Sequence, residues 1–222
     1  KGYYKDGTVK FTVTYLNGMW KEGSYNGYGE IIDKLKNKYV GEFKNGKKQG
    51  KGTYTYYDGD IYIGEFHNDK MDGIGKLNSK NYNCTGLWSL GELETGTCNF
   101  SGGDTYQGKF KNNSMFGGRF AFNGKGTYFW KNGDKYVGEF YSDKQHGKGT
   151  MYFTNGDKFT GIYQHDMRHG IGVYTWKTGS TLEGNYKQNK KEGVFTYKNK
   201  NLPDLVEIRV YENNNLISKK IH

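Results

Sequence analysis

The stretch that decides the fold reads YVGEFYSDKQHGKGT at residues 136–150, and versions of it recur almost from end to end of the chain. Its three glycines, Gly138, Gly147 and Gly149, return with the same spacing in other copies. The matching triplets are Gly18/Gly27/Gly29, Gly41/Gly50/Gly52, Gly64/Gly73/Gly75 and Gly161/Gly170/Gly172. Such a repeat is typical of arrays in which each unit packs on its neighbours. Function is therefore expected along a surface rather than in a compact active site.

The periodicity within one copy is two, which indicates β-strands rather than helices. In one copy, Tyr39, Gly41 and Phe43 share a face, while Val40 and Glu42 point the other way. A second alternating stretch follows the third glycine. Each copy is therefore predicted to be a β-hairpin.

Turn residues separate the predicted strands. Asn45-Gly46 bends one corner and Asp58-Gly59-Asp60 bends the next, because Gly, Asn and Asp tolerate positive φ. The glycine inside the first strand leaves room for an aromatic ring to lie across the backbone. The predicted fold class is all-β, an elongated, twisted single antiparallel sheet of consecutive β-hairpins.

The register of the copies divides the chain into three parts. Residues 1–15 are predicted to be a degenerate leading repeat, and residues 16–198 an array of about eight units, with an insertion near 116–122. Residues 199–222 lose the glycine register and are expected to form a capping hairpin or a linker into a further domain.

The composition favours an ordered aromatic array over a conventional core. Hydrophobic residues make up only 33% of the chain, yet 17% are aromatic, which disordered chains lack. The net charge of +10 predicts weak attraction to anionic membranes, nucleic acid or acidic partners. Nucleic acid is disfavoured, since arginine, its usual base reader, occurs only at Arg119, Arg168 and Arg209.

The two cysteines, Cys84 and Cys98, are too few for a disulfide scaffold or a four-cysteine zinc site. A reducing compartment is therefore predicted. The expected location is cytoplasmic, in association with the cytoskeleton or a membrane, and no apolar run reaches the about 18 residues of a membrane span.

No residue constellation predicts catalysis, a metal or a cofactor. Gly147-Lys148-Gly149-Thr150 has a glycine where a phosphate loop needs Ser or Thr directly after Lys. The glutamates of the repeat are expected on the outward face, paired across strands with lysine. They are Glu42, Glu65 and Glu139. His146, His165 and His169 fall close together in the register, but no further ligand completes a metal site.

The copy at residues 39–52 follows the pattern Tyr-x-Gly-Glu-Phe-x-x-Gly-x-x-x-Gly-x-Gly and closely resembles the MORN repeat (membrane occupation and recognition nexus). The resemblance covers about residues 16–198. Four positions depart from the pattern, namely Leu16, Cys84, Leu182 and Phe195. The resemblance implies an all-β ribbon of hairpins with a non-catalytic role in binding or scaffolding. MORN arrays occur in junctional membrane proteins, cytoskeletal scaffolds and spoke-head proteins, and as modules on phosphoinositide kinases and a lysine methyltransferase.

The predicted function is a non-enzymatic scaffold that binds a protein partner, a helix or a second copy, through its aromatic face. The candidate contact residues are Tyr54, Tyr56, Tyr128, Trp130, Phe153, Tyr174 and Trp176. One alternative is a peripheral membrane module that binds anionic phospholipids through basic corners. The lysines concerned are Lys44, Lys47, Lys48, Lys51, Lys187, Lys190 and Lys191. A second alternative is a regulatory segment of a larger enzyme of the kinds named above.

Overall fold

The computed structural model describes residues 2–3, 9–21, 24–111 and 120–222, and it describes side chains from residue 25 onward within these ranges. The described residues form β-strands and the turns between them. They include no helix with the length and hydropathy that a bilayer crossing requires. The predicted all-β class of consecutive antiparallel hairpins is confirmed.

The first of two compact units is Lys1–Gly102. Each of its strands pairs antiparallel with the next one along the chain. The strands are β1 Gly2–Tyr3, β2 Val9–Lys21, β3 Ser24–Asp33, β4 Lys38–Lys44, β5 Lys47–Thr55, β6 Ile61–His67, β7 Lys70–Asn78, β8 Tyr82–Ser89 and β9 Glu92–Phe100.

The second unit is Gly103–His222 and repeats this plan. Its strands are β10 Thr105–Lys111, β11 Ala121–Phe129, β12 Lys135–Tyr141, β13 Lys144–Tyr152, β14 Lys158–Gln164, β15 Met167–Thr175, β16 Thr181–Lys187, β17 Lys190–Asn199, β18 Leu202–Glu212 and β19 Asn215–Ile221. Residues 116–119 of the expected insertion, and the side chains of the expected leading repeat 1–15, lie outside the described residues.

A tyrosine ring covers the pair of glycines at the centre of a hairpin. Gly41 and Gly52 lie opposite each other, and Tyr39 crosses both, with its hydroxyl donating to the Glu42 carbonyl at 2.8 Å. A β-carbon on Gly52 would lie 2.6 Å from the Tyr39 hydroxyl oxygen, inside van der Waals contact. The same arrangement recurs at Tyr62, Tyr106 and Tyr136. The expected ring across the glycines is confirmed, and these four rings are fully buried.

The middle glycine of a copy forms a bulge that the repeat glutamate closes. Gly50 has a φ of +62°, and the strand register shifts beside it. The Glu42 carboxylate accepts the backbone N–H of Lys51 at 3.0 Å, and Glu65 accepts that of Ile74 at 3.0 Å. The predicted pairing of these two glutamates with lysine side chains is wrong, because the bulge presents free backbone N–H groups that bind the carboxylate first.

Each hairpin turn is tied to the copy before it. Asp166 donates its backbone N–H to the Gln145 carbonyl at 3.1 Å, and its carboxylate accepts the Gln145 N–H at 2.8 Å. Asp166 has a φ of +68°, as two-residue hairpin turns require. The same reciprocal pair joins Asp69 to Lys48, Asp143 to Phe122, Asn189 to Arg168 and Asn214 to Lys191. Backbone groups at the end of one hairpin are thus satisfied by the next.

Cys84 and Cys98 lie directly opposite each other on β8 and β9, fully buried, and form a disulfide. Cys84 stands where Tyr62 stands in the preceding copy, and Leu93 rather than a tyrosine ring lies against Gly86. Disulfides persist in oxidising compartments and are rare in reducing ones. The bond therefore argues against the reducing compartment predicted from the cysteine count.

We expect Gly52→Ala to destabilise the first unit, because the new methyl group would collide with the buried Tyr39 ring. Overpacking of this kind costs about 1–3 kcal/mol. The matched control is Gly102→Ala, where a β-carbon would meet no atom within 4 Å. The midpoints of urea unfolding compare the two variants, and equal midpoints would contradict the ring-over-glycine account.

We expect protein purified without reductant to contain no free thiol after denaturation. Reduction should lower the free energy of unfolding by about 3 kcal/mol, the usual value for a loop of this size, since the two cysteines are 14 residues apart. The double variant Cys84→Ser/Cys98→Ser should be insensitive to reductant. Two titratable thiols in the unreduced protein would show that the bond does not form.

Candidate partner-binding face

The aromatic residues predicted to bind a partner are half-buried, and in each unit they lie on the ring-bearing face. We call these seven residues the aromatic strip, and they are Tyr54, Tyr56, Tyr128, Trp130, Phe153, Tyr174 and Trp176. Four of them lie just beyond the end of the second strand of a hairpin, namely Tyr56, Trp130, Phe153 and Trp176. The other three lie within that strand, and Tyr54, for example, lies opposite the buried ring of Tyr39. The strip therefore borders the buried rings, and the rings of the strip are themselves partly exposed to solvent.

In the first unit, the strip consists of one aromatic pair with a lysine over it. The ring centroids of Tyr54 and Tyr56 are 4.7 Å apart in an edge-to-face arrangement. The Lys48 ammonium lies 4.4 Å from the Tyr54 centroid and 5.5 Å from that of Tyr39. Burial lowers the pKa of Lys48, and the nearby Asp69 carboxylate opposes that shift. Lys48 therefore belongs to the aromatic face rather than to the exposed corner where the sequence had placed it.

In the second unit, the strip is longer. Tyr128 and Trp130 lie 4.8 Å apart, and Phe153, Tyr174 and Trp176 form a chain with separations of 6.1 and 5.1 Å. The chain continues to Tyr197, which lies 5.8 Å from Trp176. Sequence reasoning missed Tyr197, although it occupies the position of Tyr174 one repeat later and the repeat register alone would have found it.

Carboxylates fix the orientation of two tyrosines in the strip. The Tyr128 hydroxyl donates to Asp104 at 2.7 Å, and the Tyr174 hydroxyl donates to Asp157 at 2.6 Å. Burial first, and then the bond to Asp157, raises the pKa of Tyr174 to about 12. The hydrogen bond from Tyr174 is the main reason why the pKa of Asp157 is lowered. With the hydroxyls engaged, the rings offer their apolar faces to a ligand.

The basic corners divide into two groups. Five of the seven lysines are exposed: Lys44, Lys47, Lys187 and Lys190 at the hairpin ends, and Lys51 inside β5. Lys48 and Lys191 are half-buried, and the Lys191 ammonium lies 3.9 Å from the Tyr211 ring centroid. The sequence missed this division, because it depends on strand register: Lys48 lies opposite Phe43 and Lys191 opposite Tyr186, so both share the face of those rings.

The other candidate motifs, the lysine-glycine motif and the histidines, lie within the strands and turns of the repeat. Gly147-Lys148-Gly149-Thr150 lies inside β13, and the side chain of Glu139 lies against Gly147 as Glu42 does against Gly50. The rings of His146 and His165 have centroids 5.4 Å apart, and His146 Nδ1 has no hydrogen-bond partner. Among the described residues, no third His, Cys, Asp or Glu joins them to form a metal-binding group.

A comparison with family models identifies the repeat. The MORN repeat family model matches residues 17–33, 39–61, 62–84, 121–135, 136–158 and 159–181. No curated protein sequence matches the chain.

Several solved structures share part of the architecture at low identity. A complex of the SAS-4 (dCPAP) TCP domain of Drosophila melanogaster with a proline-rich motif of Ana2 (dSTIL) is 11% identical, covers 72% of this chain and 84% of its own, and has a TM-score of 0.42. The TCP10c domain of Drosophila melanogaster Sas-4 is 12% identical over 72% and 93%, with a TM-score of 0.38. The G-box domain of the microcephaly protein CPAP is 9% identical over 88% and 98%, with a TM-score of 0.30. These values are too low to support a functional inference.

The matched stretches span more than half of the chain, and those from residue 39 onward fall on hairpins whose glycine pairs are covered by a ring. This protein therefore belongs to the MORN repeat family.

Proposed function

We propose that the chain is a non-enzymatic scaffold that binds a protein partner, a helix or a second copy of itself, through the aromatic strip. The observation that carries the proposal is a row of half-buried rings, in which the hydroxyls of Tyr128 and Tyr174 are already engaged. The strands of each unit contact chiefly their neighbours in sequence, so each unit is a single layer. A single layer leaves both of its faces available to a partner.

The ring-bearing face is the better candidate of the two. Tyrosine and tryptophan dominate binding energy at protein interfaces, because they bury a large area and lose few rotamers. The opposite face carries aliphatic residues among threonines and charges, such as Val137, Ile171 and Val194. Packing within the strip holds its rings in place before binding, which lowers the entropic cost of association.

We expect the variant Trp130→Ser/Phe153→Ser/Trp176→Ser to lose partner binding while it remains folded. Anchor residues of this kind contribute about 2 kcal/mol or more each, so the affinity should fall by about 100-fold or more. Sedimentation measures self-association, and crosslinking followed by mass spectrometry measures capture of other proteins.

The matched control, Val137→Ser/Ile171→Ser/Val194→Ser, removes as many apolar side chains from the opposite face of the same unit. It should retain both activities, and circular dichroism should confirm that both variants are folded. A folded strip variant that self-associates and captures partners like the unmodified protein would refute the proposal.

A further inference from the structure

Two cations occupy the same position in consecutive copies of the second unit. Arg168 lies opposite Tyr163 in the register, and Lys191 lies opposite Tyr186 one repeat later. The equivalent residue one repeat before Arg168 is Gln145, which is neutral. The two positive charges therefore lie on adjacent hairpins of the ring-bearing face.

Both cations are held over aromatic rings. The Arg168 guanidinium carbon lies 5.3 Å from the Phe159 centroid and 5.2 Å from the Tyr186 centroid. The Lys191 ammonium lies 3.9 Å from the Tyr211 centroid. Both side chains are half-buried, so their positions are defined by packing rather than left to solvent.

No carboxylate among the described residues forms an ion pair with either cation. In the first unit, the backbone N–H of Lys48 is accepted by the carboxylate of Asp69 at 2.9 Å. At the equivalent points beside Arg168 and Lys191, the acceptor is the neutral amide of an asparagine, at 2.8 and 2.6 Å. The backbone N–H of the cationic residue has an acceptor in all three copies. Only beside Lys48 is that acceptor a carboxylate, which compensates the positive charge.

The Asp157 carboxylate, which binds Tyr174 in the wall of this region, is already engaged. One oxygen of Asp157 accepts the Tyr174 hydroxyl, and the other accepts the Lys177 N–H at 2.8 Å. It is therefore positioned by neutral donors rather than by the two cations. The Arg168 guanidinium donates one hydrogen bond to the Asn189 carbonyl at 3.3 Å, and its other donors and the Lys191 ammonium have no carboxylate partner among the described residues.

The two cations border a small cavity with aromatic walls. Its volume is about 210 Å³, and its lining includes Tyr174, Trp176 and Leu182 beside Arg168 and Lys191. Small-molecule sites usually measure about 300–1,000 Å³, so this one is better suited to a single large side chain. We call it the cationic pocket.

We propose that the cationic pocket binds an acidic, apolar peptide segment of a protein partner. A large apolar side chain of the segment enters between Trp176 and Leu182, and a neighbouring Asp or Glu accepts hydrogen bonds from Arg168 and Lys191. Charge-assisted bonds of this type are the strong ones in recognition, and arginine binds carboxylates in two-point geometry. The proposal rests on the scaffold function proposed above and specifies the chemistry of the partner.

A lipid headgroup fits the pocket less well than a peptide. The Arg168 and Lys191 side chains lie along rings, whereas Lys187 and Lys190 of the same hairpin end are exposed and would meet a membrane first. The apolar walls select a side chain next to the carboxylate, which a headgroup lacks.

The test is selection of a phage-displayed library of random peptides on the full chain. The selected peptides should be enriched in Asp or Glu adjacent to Leu, Phe or Trp. Arg168→Gln/Lys191→Gln should weaken their binding by about tenfold or more, the usual loss for hydrogen bonds to charged groups. Lys187→Gln/Lys190→Gln removes the same net charge from the same region and should leave binding unchanged. Arg168→Lys retains the charge and should bind more tightly than Arg168→Gln, which separates recognition from misfolding.

Each other outcome has a defined meaning. One outcome would overturn the cationic pocket and leave the scaffold function standing. In it, the selected peptides are not enriched in acidic residues, and their binding is lost in Trp130→Ser/Phe153→Ser but retained in Arg168→Gln/Lys191→Gln. Equal losses of binding in Arg168→Gln/Lys191→Gln and Lys187→Gln/Lys190→Gln would show that only net charge matters, and would also overturn the cationic pocket. If no peptide is selected, the cationic pocket fails, whereas the scaffold function still stands or falls on self-association and partner capture by the aromatic strip. If phosphatidylserine vesicles lose binding on Arg168→Gln/Lys191→Gln while selected peptides do not, the pocket serves lipid and the peptide assignment is wrong.

Discussion

The contact between a tyrosine ring and two glycines is the interaction on which each hairpin depends. A single-layer sheet has no second layer to bury its apolar side chains, so it must bury them against its own backbone. The opposed glycines provide that backbone surface, and Tyr39 illustrates the result, since its ring crosses Gly41 and Gly52 and its hydroxyl reaches a carbonyl of its own strand. Neighbouring rings then close the sides, as Phe43 and Phe66 do around Tyr39 at 5.2 and 4.9 Å. Edge-to-face pairs of this kind add about 0.5–1.5 kcal/mol each beyond their buried area.

The repeat also accounts for residues that resemble catalytic or phosphate-binding groups but have a structural role. A bulge in the second strand is needed so that the last glycine of that strand lies opposite the glycine of the first strand. It leaves backbone N–H groups without strand partners, and Glu42 and Glu65 accept them. A carboxylate that returns at the same place in several copies is therefore explained by the geometry of the bulge. The same holds for the lysine-glycine motif of β13, which is extended strand.

The parts of the fold that could be predicted were those set by local periodicity. Alternation around Gly41, the turn residues such as Asn45-Gly46, and the role of glycine under a ring follow from pattern and sterics alone. Other features depended on strand register, which the pattern did not supply. The disulfide requires Cys84 and Cys98 to be directly opposite, and Lys48 and Lys191 lie over rings because the register places them opposite Phe43 and Tyr186. The cationic pocket was invisible for the same reason, since it combines residues from consecutive copies.

The reciprocal hydrogen bonds between each hairpin turn and the preceding copy give the array a direction. Asn214, in the turn between β18 and β19, satisfies both backbone groups of Lys191, as Asn189 does for Arg168 one copy earlier. A copy is therefore complete only when the following turn is in place, and the structural repeat is offset from the sequence repeat. Within a unit, fraying that begins at the last hairpin removes acceptors from the copy before it. Such a unit should unfold copy by copy from its C-terminal side, rather than lose isolated copies from its interior.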